Sequence, residues 1–373
     1  MAEGTTVEKV VGKPAVKQFI RFPWTIYRND PLWVPPLIKE QMFMFSPRYP
    51  FFEHGEIELF LARKGQERAG RVAAILDRRY IDFSGDKAVF FGFFESINDP
   101  DVARSLIDTV RDWGKARGMK TVRGPFNPST NDECGLLAEG FDKSPVLMMP
   151  YNPSYYIDLM NECGLEKCKD LYAYVIEVSM LPEKLERFAS RIWKRLPDLT
   201  IRPIRLRKMK EELQIIRDIY NNAWVDNWGF VPLTAAEIDF LATRLKPLVI
   251  EDLVLIAEIN GEGVGFVASF PDYNQVLKRL NGKIGLTGAL KFLYYSKKIK
   301  DLRTMLLGVK YGYQKRGIEG LLYLESFQRG LKKGFQQSEL SWILEDNMLM
   351  RRGIEMLGGR IYKTYRLYEG PVS

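Results

Sequence analysis

The sequence predicts an α/β protein built from two tandem domains. Two observations carry this prediction: one order of strand and helix patterns occurs twice along the 373 residues, and 46% of the residues are hydrophobic. A chain of this length holds two or three domains at about 150 residues each. The apolar content is enough for packed cores, so the composition excludes a globally disordered chain.

The first half begins with a connector, residues 1–50, that is rich in aromatic residues and prolines. The prolines disfavour regular ladders there, and the aromatic side chains are expected to pin the segment to a core. Two apolar runs around a polar turn then predict a hairpin. The predicted elements that follow the connector are strands at 57–63, 69–75 and 88–95, a helix from 99 to 118, a strand at 120–124, a helix at 153–165 and a strand at 172–178.

The second half repeats this order. Its Asn260-Gly261 pair lies between two apolar runs and is a strong hairpin signal. Its predicted elements are a helix at 208–225, strands at 253–259, 263–269 and 303–309, a helix at 317–333, a strand at 338–344, a helix at 347–357 and a strand at 360–368. The order indicates an internal duplication with its boundary at 181–201. We therefore predict domains at 1–195 and 196–373.

The scarcity of histidine and cysteine excludes several kinds of site. His54 is the single histidine, and it lies in an aromatic stretch where we expect an ordinary loop or strand edge. The three cysteines, Cys134, Cys163 and Cys168, are an odd number without Cys-x-x-Cys spacing. The sequence therefore argues against a metal site, a histidine-dependent catalytic triad and a disulfide framework. Three thiols fit a reducing compartment.

The N-terminal residues have neither a basic region nor an apolar region typical of a signal peptide. No apolar run approaches the roughly 18 residues needed to span a bilayer. We therefore expect a cytoplasmic protein, either a monomer or a homodimer. The net charge of +8 is mild and interspersed with acid. Its short basic clusters, 202–210 and 297–300, are typical of solvated faces, so nucleic acid is not the favoured partner and a small polyanion fits the charge.

The most informative segment runs from an apolar strand through a turn into a helix at 306–325. Backbone N–H groups at a helix start point outward, and the helix dipole adds partial positive charge there. Lys315 and Arg316 add charge, while Gly317 and Gly320 let a ligand approach the backbone. The turn thus suits a phosphate or pyrophosphate. The alternative is a strand-to-helix turn that binds nothing, since short glycine motifs often match by chance.

One strand later, Asn347 follows Glu345-Asp346, and Gly358 comes eleven residues after it. With Gln314-Lys-Arg-Gly317, this spacing resembles the GNAT superfamily of acyl-CoA-dependent N-acyltransferases over residues 200–373. The superfamily's signature is Gln/Arg-x-x-Gly-x-Gly/Ala at the helix start, and a second element is an Asn that opens the following helix. The first half resembles a degenerate copy, because residues 96–100 contain no glycine to hold a phosphate.

This resemblance implies two tandem GNAT-like domains, each a mixed, mostly antiparallel sheet flanked by helices. It implies acetyl-CoA or another acyl-CoA as co-substrate and no metal. A strand N–H near Val309 would stabilise the oxyanion, and Asn347 would meet the pantetheine arm or cap its helix. The residues that the resemblance assigns to acyl-CoA are Val309, Gln314, Lys315, Arg316, Gly317, Ile318, Gly320 and Asn347.

Two residues depart from the superfamily pattern. Glu319 stands where a Gly or Ala is expected, and Ile354 stands where a tyrosine acid is usual. A catalytic base should be a carboxylate facing the cleft, and Glu345 and Asp272 are the candidates. As alternatives, Glu345 simply flanks a helix start and Asp272 is a turn residue. Candidate contacts of the acceptor are Tyr273, Asn274 and Tyr311.

The predicted function is transfer of an acetyl or longer acyl group from CoA to a primary amine of a small molecule or peptide. The alternative is a module of the same fold that binds acyl-CoA or another ligand without catalysis, as Glu319 and Ile354 suggest.

Overall fold

The computed structural model describes residues 4–177 and 184–373, which divide into two compact units. Unit 1 takes in Met1–Asp170, Val276–Tyr294 and Lys363–Ser373, and unit 2 takes in Leu171–Gln275 and Tyr295–Tyr362. Each unit is thus drawn from more than one segment of the chain. The predicted boundary at 181–201 begins outside the described residues, and the division at 195 stays a prediction.

The first half of the chain contains eight strands and six α-helices in the described residues. The strands are β1 (Thr5–Lys9), β2 (Gly55–Lys64), β3 (Glu67–Asp77), β4 (Ala88–Ser96), β5 (Thr121–Gly124), β6 (Phe126–Asn127), β7 (Glu133–Cys134) and β8 (Leu136–Glu139). The helices are α1 (Gly12–Arg21), α2 (Pro23–Ile26), α3 (Ile38–Met44), α4 (Arg78–Ser84), α5 (Pro100–Lys115) and α6 (Tyr156–Glu162).

The second half of the chain follows the same plan. Its strands are β9 (Glu166–Glu177), β10 (Leu199–Pro203), β11 (Val254–Ile259), β12 (Glu262–Pro271), β13 (Asp301–Val309), β14 (Gln337–Leu344) and β15 (Arg360–Pro371). Its helices are α7 (Lys184–Arg195), α8 (Met209–Ala223), α9 (Ala235–Leu245), α10 (Asn274–Leu280), α11 (Leu286–Ser296), α12 (Ile318–Lys332) and α13 (Met348–Met356).

In unit 1 the strands run in the order β1-β2-β3-β4-β5-β15. The β4–β5 pair is parallel, whereas its neighbours pair antiparallel. Helix α5 covers this sheet with Val102, Leu106 and Val110, all fully buried, because their spacing places them on one face of the helix. This is the face that the sequence predicted.

In unit 2 the order is β9-β14-β13-β12-β11-β10. The β13–β14 pair is parallel, and the other pairs of this sheet are antiparallel. Buried residues of α12, among them Ile318, Leu321 and Leu322, pack against β11, β12 and β13, and α7 adds Ala189 and Ile192 to the same core. The two units therefore confirm the predicted mixed, mostly antiparallel sheets flanked by helices.

Strands β9 and β15 are each divided between the two units. Residues 171–177 of β9 belong to unit 2, where they pair antiparallel with β14. Residues 363–371 of β15 belong to unit 1, where the end of the strand pairs antiparallel with β5 and an earlier part pairs with β8. Neither pairing follows from local sequence patterns, because the partners are far apart in the chain.

The N-terminal segment is more regular than the sequence predicted. Residues 5–9 form an edge strand on β2, and three helices follow. Pro23 stands in the first turn of α2, where its missing N–H costs nothing, so the proline content did not prevent helix formation. The expected anchoring is confirmed, since Phe19 and Phe22 are buried.

The single histidine and the cysteines, which the composition made notable, lie in the following surroundings. His54 ends a short 3₁₀ turn before β2, and its Nδ1 lies 3.0 Å from Asp77 Oδ1. Cys163 and Cys168 are free thiols, and burial raises the pKa of each to about 12. Among the described residues, no helix combines the length and apolar character needed to cross a membrane.

Candidate active site

Strands β13 and β14 of unit 2 separate part-way along their length. They pair in parallel from Asp301–Thr304 and Gln337–Leu340, and beyond these residues no backbone pairing joins them in the described chain. A β-bulge marks the point of separation, because Ser269 of β12 faces Thr304 whereas Ala268 faces Leu306. The extra residue, Met305, leaves the regular ladder. Unit 2 therefore contains a V-shaped gap with a bulged strand at its apex.

The turn after β13 is hydrogen-bonded to the end of that strand and leads directly into α12. Gln314 Nε2 donates to the carbonyl oxygen of Val309 at 3.1 Å, which ties the turn to the end of the strand. Gly317 precedes α12 with φ of 91°, a left-handed conformation that favours glycine, and it supplies no side-chain cap. The first N–H groups of α12 thus open at the wide end of the gap without a cap from Gly317.

Glu319 lies in the first turn of α12 and folds back over it. Its carboxylate accepts hydrogen bonds from the backbone N–H groups of Lys315 and of Glu319 itself. Burial raises the pKa of Glu319, and the two hydrogen bonds oppose that shift. A negatively charged side chain therefore takes two of the donors that an anionic ligand would use.

The glycines of the turn pack against α7. A Cβ on Gly317 would lie 2.6 Å from Ile192 Cδ1, and a Cβ on Gly320 would lie 2.8 Å from Phe188 Cε1. The sequence predicted that both glycines serve the approach of a ligand. Close packing is another reason for them, since a Cβ at either position would require side chains of α7 to shift.

A buried polar cluster lies on β13 and β14 where they pair. Arg303 faces Glu339 across the two strands, and both side chains are buried. Arg303 Nε donates to Ser341 Oγ at 3.2 Å, and Ser341 Oγ donates to Glu339 Oε1 at 2.6 Å. The hydroxyl of Tyr362 donates to Glu339 Oε2. Sequence patterns did not predict this cluster, although one acid within the apolar strand 338–344 was a signal for it.

Hydroxyl groups line the opposite face of the same strands, below α12. Ser269 Oγ lies 2.9 Å from Thr304 Oγ1 and 2.9 Å from Ser326 Oγ, and Thr304 Oγ1 lies 3.0 Å from Ser338 Oγ. Thr304, Ser326 and Ser338 border a cavity that is otherwise mostly apolar. Its lining residues are Ile176, Leu302, Thr304, Tyr323, Leu324, Ser326, Phe327, Ser338, Leu340 and Leu357.

Comparisons with known proteins identify relatives that match nearly the whole chain. No protein-family profile matches the sequence. The chain is 36% identical over 364 residues to the "Bacterial ceramide synthase" of Caulobacter vibrioides (strain NA1000 / CB15N), covering 95% of this chain and 94% of that protein. It is 34% identical over 371 residues to "Protein YghO" of Escherichia coli (strain K12), covering 97% of this chain and 94% of that protein. The chain belongs to the bacterial ceramide synthase family.

This member of the bacterial ceramide synthase family has the tandem GNAT fold. A solved structure of a tandem GNAT protein from the clavulanic acid biosynthesis pathway matches it with a TM-score of 0.57 and 10% identity, covering 99% of both chains. The identity is low, so this match concerns the fold alone. The tandem GNAT-like fold implied by the resemblance at Gln314, Gly317 and Asn347 is thereby confirmed.

Three of the predicted residues of this family member lie at the far end of the sheet from the turn. Asp272 follows β12 and is buried, and its Oδ1 accepts the Asn274 N–H at 3.2 Å. Tyr273 and Asn274 follow it and are also buried, whereas Tyr311 is exposed beyond the other end of β13. At about 3.3 Å per residue, the nine residues of β13 separate these ends by about 25 Å. The structure does not bring the predicted acceptor contacts together, and their roles stay predictions.

The residues after β14 lie nearer the turn. Glu345 directly follows the strand and is half-buried, and its carbonyl oxygen accepts from Arg351 Nη1 at 2.8 Å. Asn347 caps α13, since its Oδ1 accepts the Met350 N–H at 3.2 Å. Ile354 is fully buried in a small core of β9, β14 and α13. The side chain at position 354 packs in that core, and because it is an isoleucine it supplies no acid to the gap.

Proposed function

We propose that unit 2 binds acyl-CoA in the gap between β13 and β14 and transfers the acyl group to an amine. The observation that carries this proposal is the gap itself, which opens at the bulge beside Met305 and ends at the start of α12. The pyrophosphate would bind at the first N–H groups of α12, and the cationic side chains of Lys315 and Arg316 in the preceding turn would add positive charge. The pantetheine amides would pair with the open edge of β13 as an added strand does.

The reaction needs a donor for the oxyanion and a base for the amine. A bulge leaves a strand N–H outside the ladder, so the backbone near Met305 is a candidate oxyanion donor in addition to the predicted N–H near Val309. The amine nitrogen attacks the thioester carbonyl carbon, the C–S bond breaks, and CoA leaves as a thiolate that takes up a proton. The base accepts the proton that the amine loses.

Glu339 is the carboxylate that we favour as this base. It lies one residue before the pairing of β13 and β14 ends, and the Ser341 and Tyr362 hydroxyl groups orient it. Glu345 stays a second candidate at the end of the same strand. Asp272 is a third, but its carboxylate sits at the other end of β12 and already accepts the Asn274 N–H.

The acceptor that we propose is the amine of a long-chain amino alcohol, with a long-chain acyl-CoA as donor. Support comes from the relative named bacterial ceramide synthase, which is 36% identical across 95% of this chain. Ceramide formation joins an acyl group to such an amine. Acyl-CoA is a cytoplasmic metabolite, so we place the reaction on the cytoplasmic side of the cell.

The test is a thiol-release assay on the full chain with acyl-CoAs of increasing length and a panel of amines that includes a sphingoid base. We expect CoA release only when both substrates are present, with an N-acyl product by mass spectrometry. Glu339→Gln should lower kcat by about a hundredfold or more if Glu339 is the base. No release with any amine, at protein concentrations that bind acyl-CoA, would contradict acyl transfer.

A second candidate function has its own observation. The Glu339 cluster is compatible with catalysis, but Glu319 occupies the helix start and Ile354 replaces the usual acid. These features favour a module that binds acyl-CoA or another ligand without turnover. Calorimetry separates the two functions, since heat from acyl-CoA binding without thiol release would support the second.

A further inference from the structure

Helix α11 presents leucines to solvent. Leu286 is 91% exposed, Leu290 69% and Leu293 64%, and their spacing places all three on one face of the helix. On the opposite face Gly288 is buried and Phe292 is half-buried. The helix therefore packs through one side and turns an apolar stripe outward, the reverse of an ordinary surface helix.

The same segment carries nearly all of the net positive charge of the chain. From Tyr273 to Lys300 there are seven Lys or Arg residues and no Asp or Glu, whereas the whole chain has a net charge of +8. Lys283 and Lys291 are exposed beside the leucines, and Lys297 is exposed just past the end of the helix. Most of the mild net charge of the protein therefore lies in the chain segment that contains the apolar stripe.

We propose that α11 docks the protein on an anionic bilayer surface. The helix lies in the plane of the interface, with Leu286, Leu290 and Leu293 in the acyl boundary and the lysines at acidic headgroups. An exposed apolar stripe flanked by lysines is the chemistry of interfacial helices. The charge of the segment argues for a lipid surface over a protein partner, because a bilayer offers apolar depth and dense negative charge together. This proposal does not depend on acyl transfer.

The experiment is co-sedimentation of the full chain with vesicles. One set contains phosphatidylcholine with phosphatidylglycerol, and the other contains phosphatidylcholine alone, each at low and high salt. We expect binding to the anionic vesicles that weakens as salt rises, and at least tenfold weaker binding to the neutral ones. Equal binding to both vesicles, or none to either, would overturn the proposal.

Substitutions then separate the apolar stripe from the charge. Leu290→Glu with Leu293→Glu should weaken binding to anionic vesicles about a hundredfold, since both leucines leave the bilayer. Lys291→Gln and Lys297→Gln should each weaken it about fivefold and reduce the salt dependence. The control is Leu331→Glu, at a 48% exposed leucine near the end of α12, which should bind as the wild type does.

Sedimentation velocity tests the competing occupant, a second copy of the chain. The proposal expects the same oligomeric state for the wild type and the double glutamate variant, with vesicle binding lost only in the variant. A wild-type dimer that the double variant dissociates, together with no vesicle binding by either protein, would assign the stripe to a second copy instead.

Discussion

The two units differ at a strand-to-helix connection, which leads from β4 to α5 in unit 1 and from β13 to α12 in unit 2. In unit 1, Asp99 caps α5 by accepting the Asp101 N–H at 3.0 Å, and Lys64 Nζ lies 2.5 Å from the other carboxylate oxygen. In unit 2, Gly317 takes the corresponding place before α12 and brings no side chain. The helix start of unit 1 is thus occupied by a capping carboxylate, whereas the helix start of unit 2 is covered by Glu319 from the first turn of the helix.

The same contrast holds at the bulges. In unit 1 the bulged strand β4 has Phe93 at φ of 49°, and the Phe93 N–H donates to Asn127 Oδ1 at 2.6 Å. The carbonyl of Phe126 packs so closely that a Cβ on Gly92 would lie 1.7 Å from it. In unit 2 the pairing of β13 with β14 ends at Thr304 in the described residues. A duplicated fold can therefore close one gap with a backbone carbonyl and an asparagine side chain while the other gap stays open.

The largest expected effect comes from adding one methyl group at the turn of unit 2. Gly317→Ala forces a left-handed residue to carry a Cβ 2.6 Å from Ile192, so we expect a loss of about 3 kcal/mol in the free energy of unfolding. Acyl-CoA affinity should fall with it. Chemical denaturation and calorimetry measure the two effects.

Gly312→Ala is the matched control for that substitution. Gly312 lies in the same turn with φ of 88°, but nothing lies within 4 Å of its Cβ position. It should cost only the backbone strain, about 1 kcal/mol. Equal losses for the two variants would show that contact with α7 contributes nothing to the turn.

The next largest effect is a loss of stability in unit 1, where Asn127 helps to close the gap beside β4. Asn127→Ala removes the acceptor of the buried Phe93 N–H, and an unsatisfied buried donor costs about 2 kcal/mol. We expect a lower denaturation midpoint and unchanged acyl-CoA affinity. Asn127→Asp keeps an acceptor atom and should recover most of the stability. A drop in acyl-CoA affinity with Asn127→Ala would contradict the assignment of binding to unit 2.

The contrast between the units shows what local sequence could predict. The repeated order of elements, the turn at Gln314 and the Asn347 helix start follow from patterns within about twenty residues, and the fold confirms them. The absence of glycine in residues 96–100 also predicts that unit 1 is the degenerate copy, and this stays a prediction. Local patterns were sufficient because hairpins, caps and helix faces are local structures.

The remaining features depend on contacts between distant residues. Ile192 lies more than one hundred residues before Gly317, which it contacts, and Asn127 lies 34 positions from Phe93. The exchange of β9 and β15 between units has no local signal at all. The orientation of Glu319 was left open by the sequence, since a first-turn acid can point outward or fold back on the turn.

A smaller effect is expected from the carboxylate that covers the helix start of unit 2. Glu319→Gln removes a negative charge from the position proposed for the pyrophosphate, so we expect acyl-CoA to bind about tenfold tighter, or about 1.4 kcal/mol. Calorimetry with acyl-CoA measures this change. Glu325→Gln, farther along the same helix, is the charge-matched control and should leave the affinity unchanged.

The pH dependence of acyl-CoA affinity is an independent test of the charge on Glu319. Burial raises the pKa of Glu319 above its ordinary value of about 4.3, so protonation discharges it at a higher pH than a free carboxyl. Wild-type affinity for acyl-CoA, relative to Glu319→Gln, should therefore rise as the pH falls toward that raised pKa. The ligand's own phosphates titrate identically for both proteins and cancel. A constant affinity ratio would show that Glu319 stays clear of the ligand.

The smallest effect is expected at the cap of unit 1. The hydrogen bond from Lys64 lowers the pKa of Asp99, and the Asp101 N–H adds to this shift while burial opposes it. A carboxyl group with a lowered pKa stabilises the fold fully above its unfolded value of about 3.9, and this contribution disappears as the pH falls through the lowered pKa. Asp99→Ala should cost about 1 kcal/mol at neutral pH and progressively less in acid.

Acyl-CoA affinity should be unchanged in Asp99→Ala, because the variant opens a helix start whose strand gap remains closed by Phe126 and Asn127. Chemical denaturation across the acidic range and calorimetry at neutral pH measure both properties on one variant. If Asp99→Ala gained a second acyl-CoA site, the capping carboxylate alone would explain why unit 1 does not bind acyl-CoA. The filled bulge would then be irrelevant to the difference in binding between the two units.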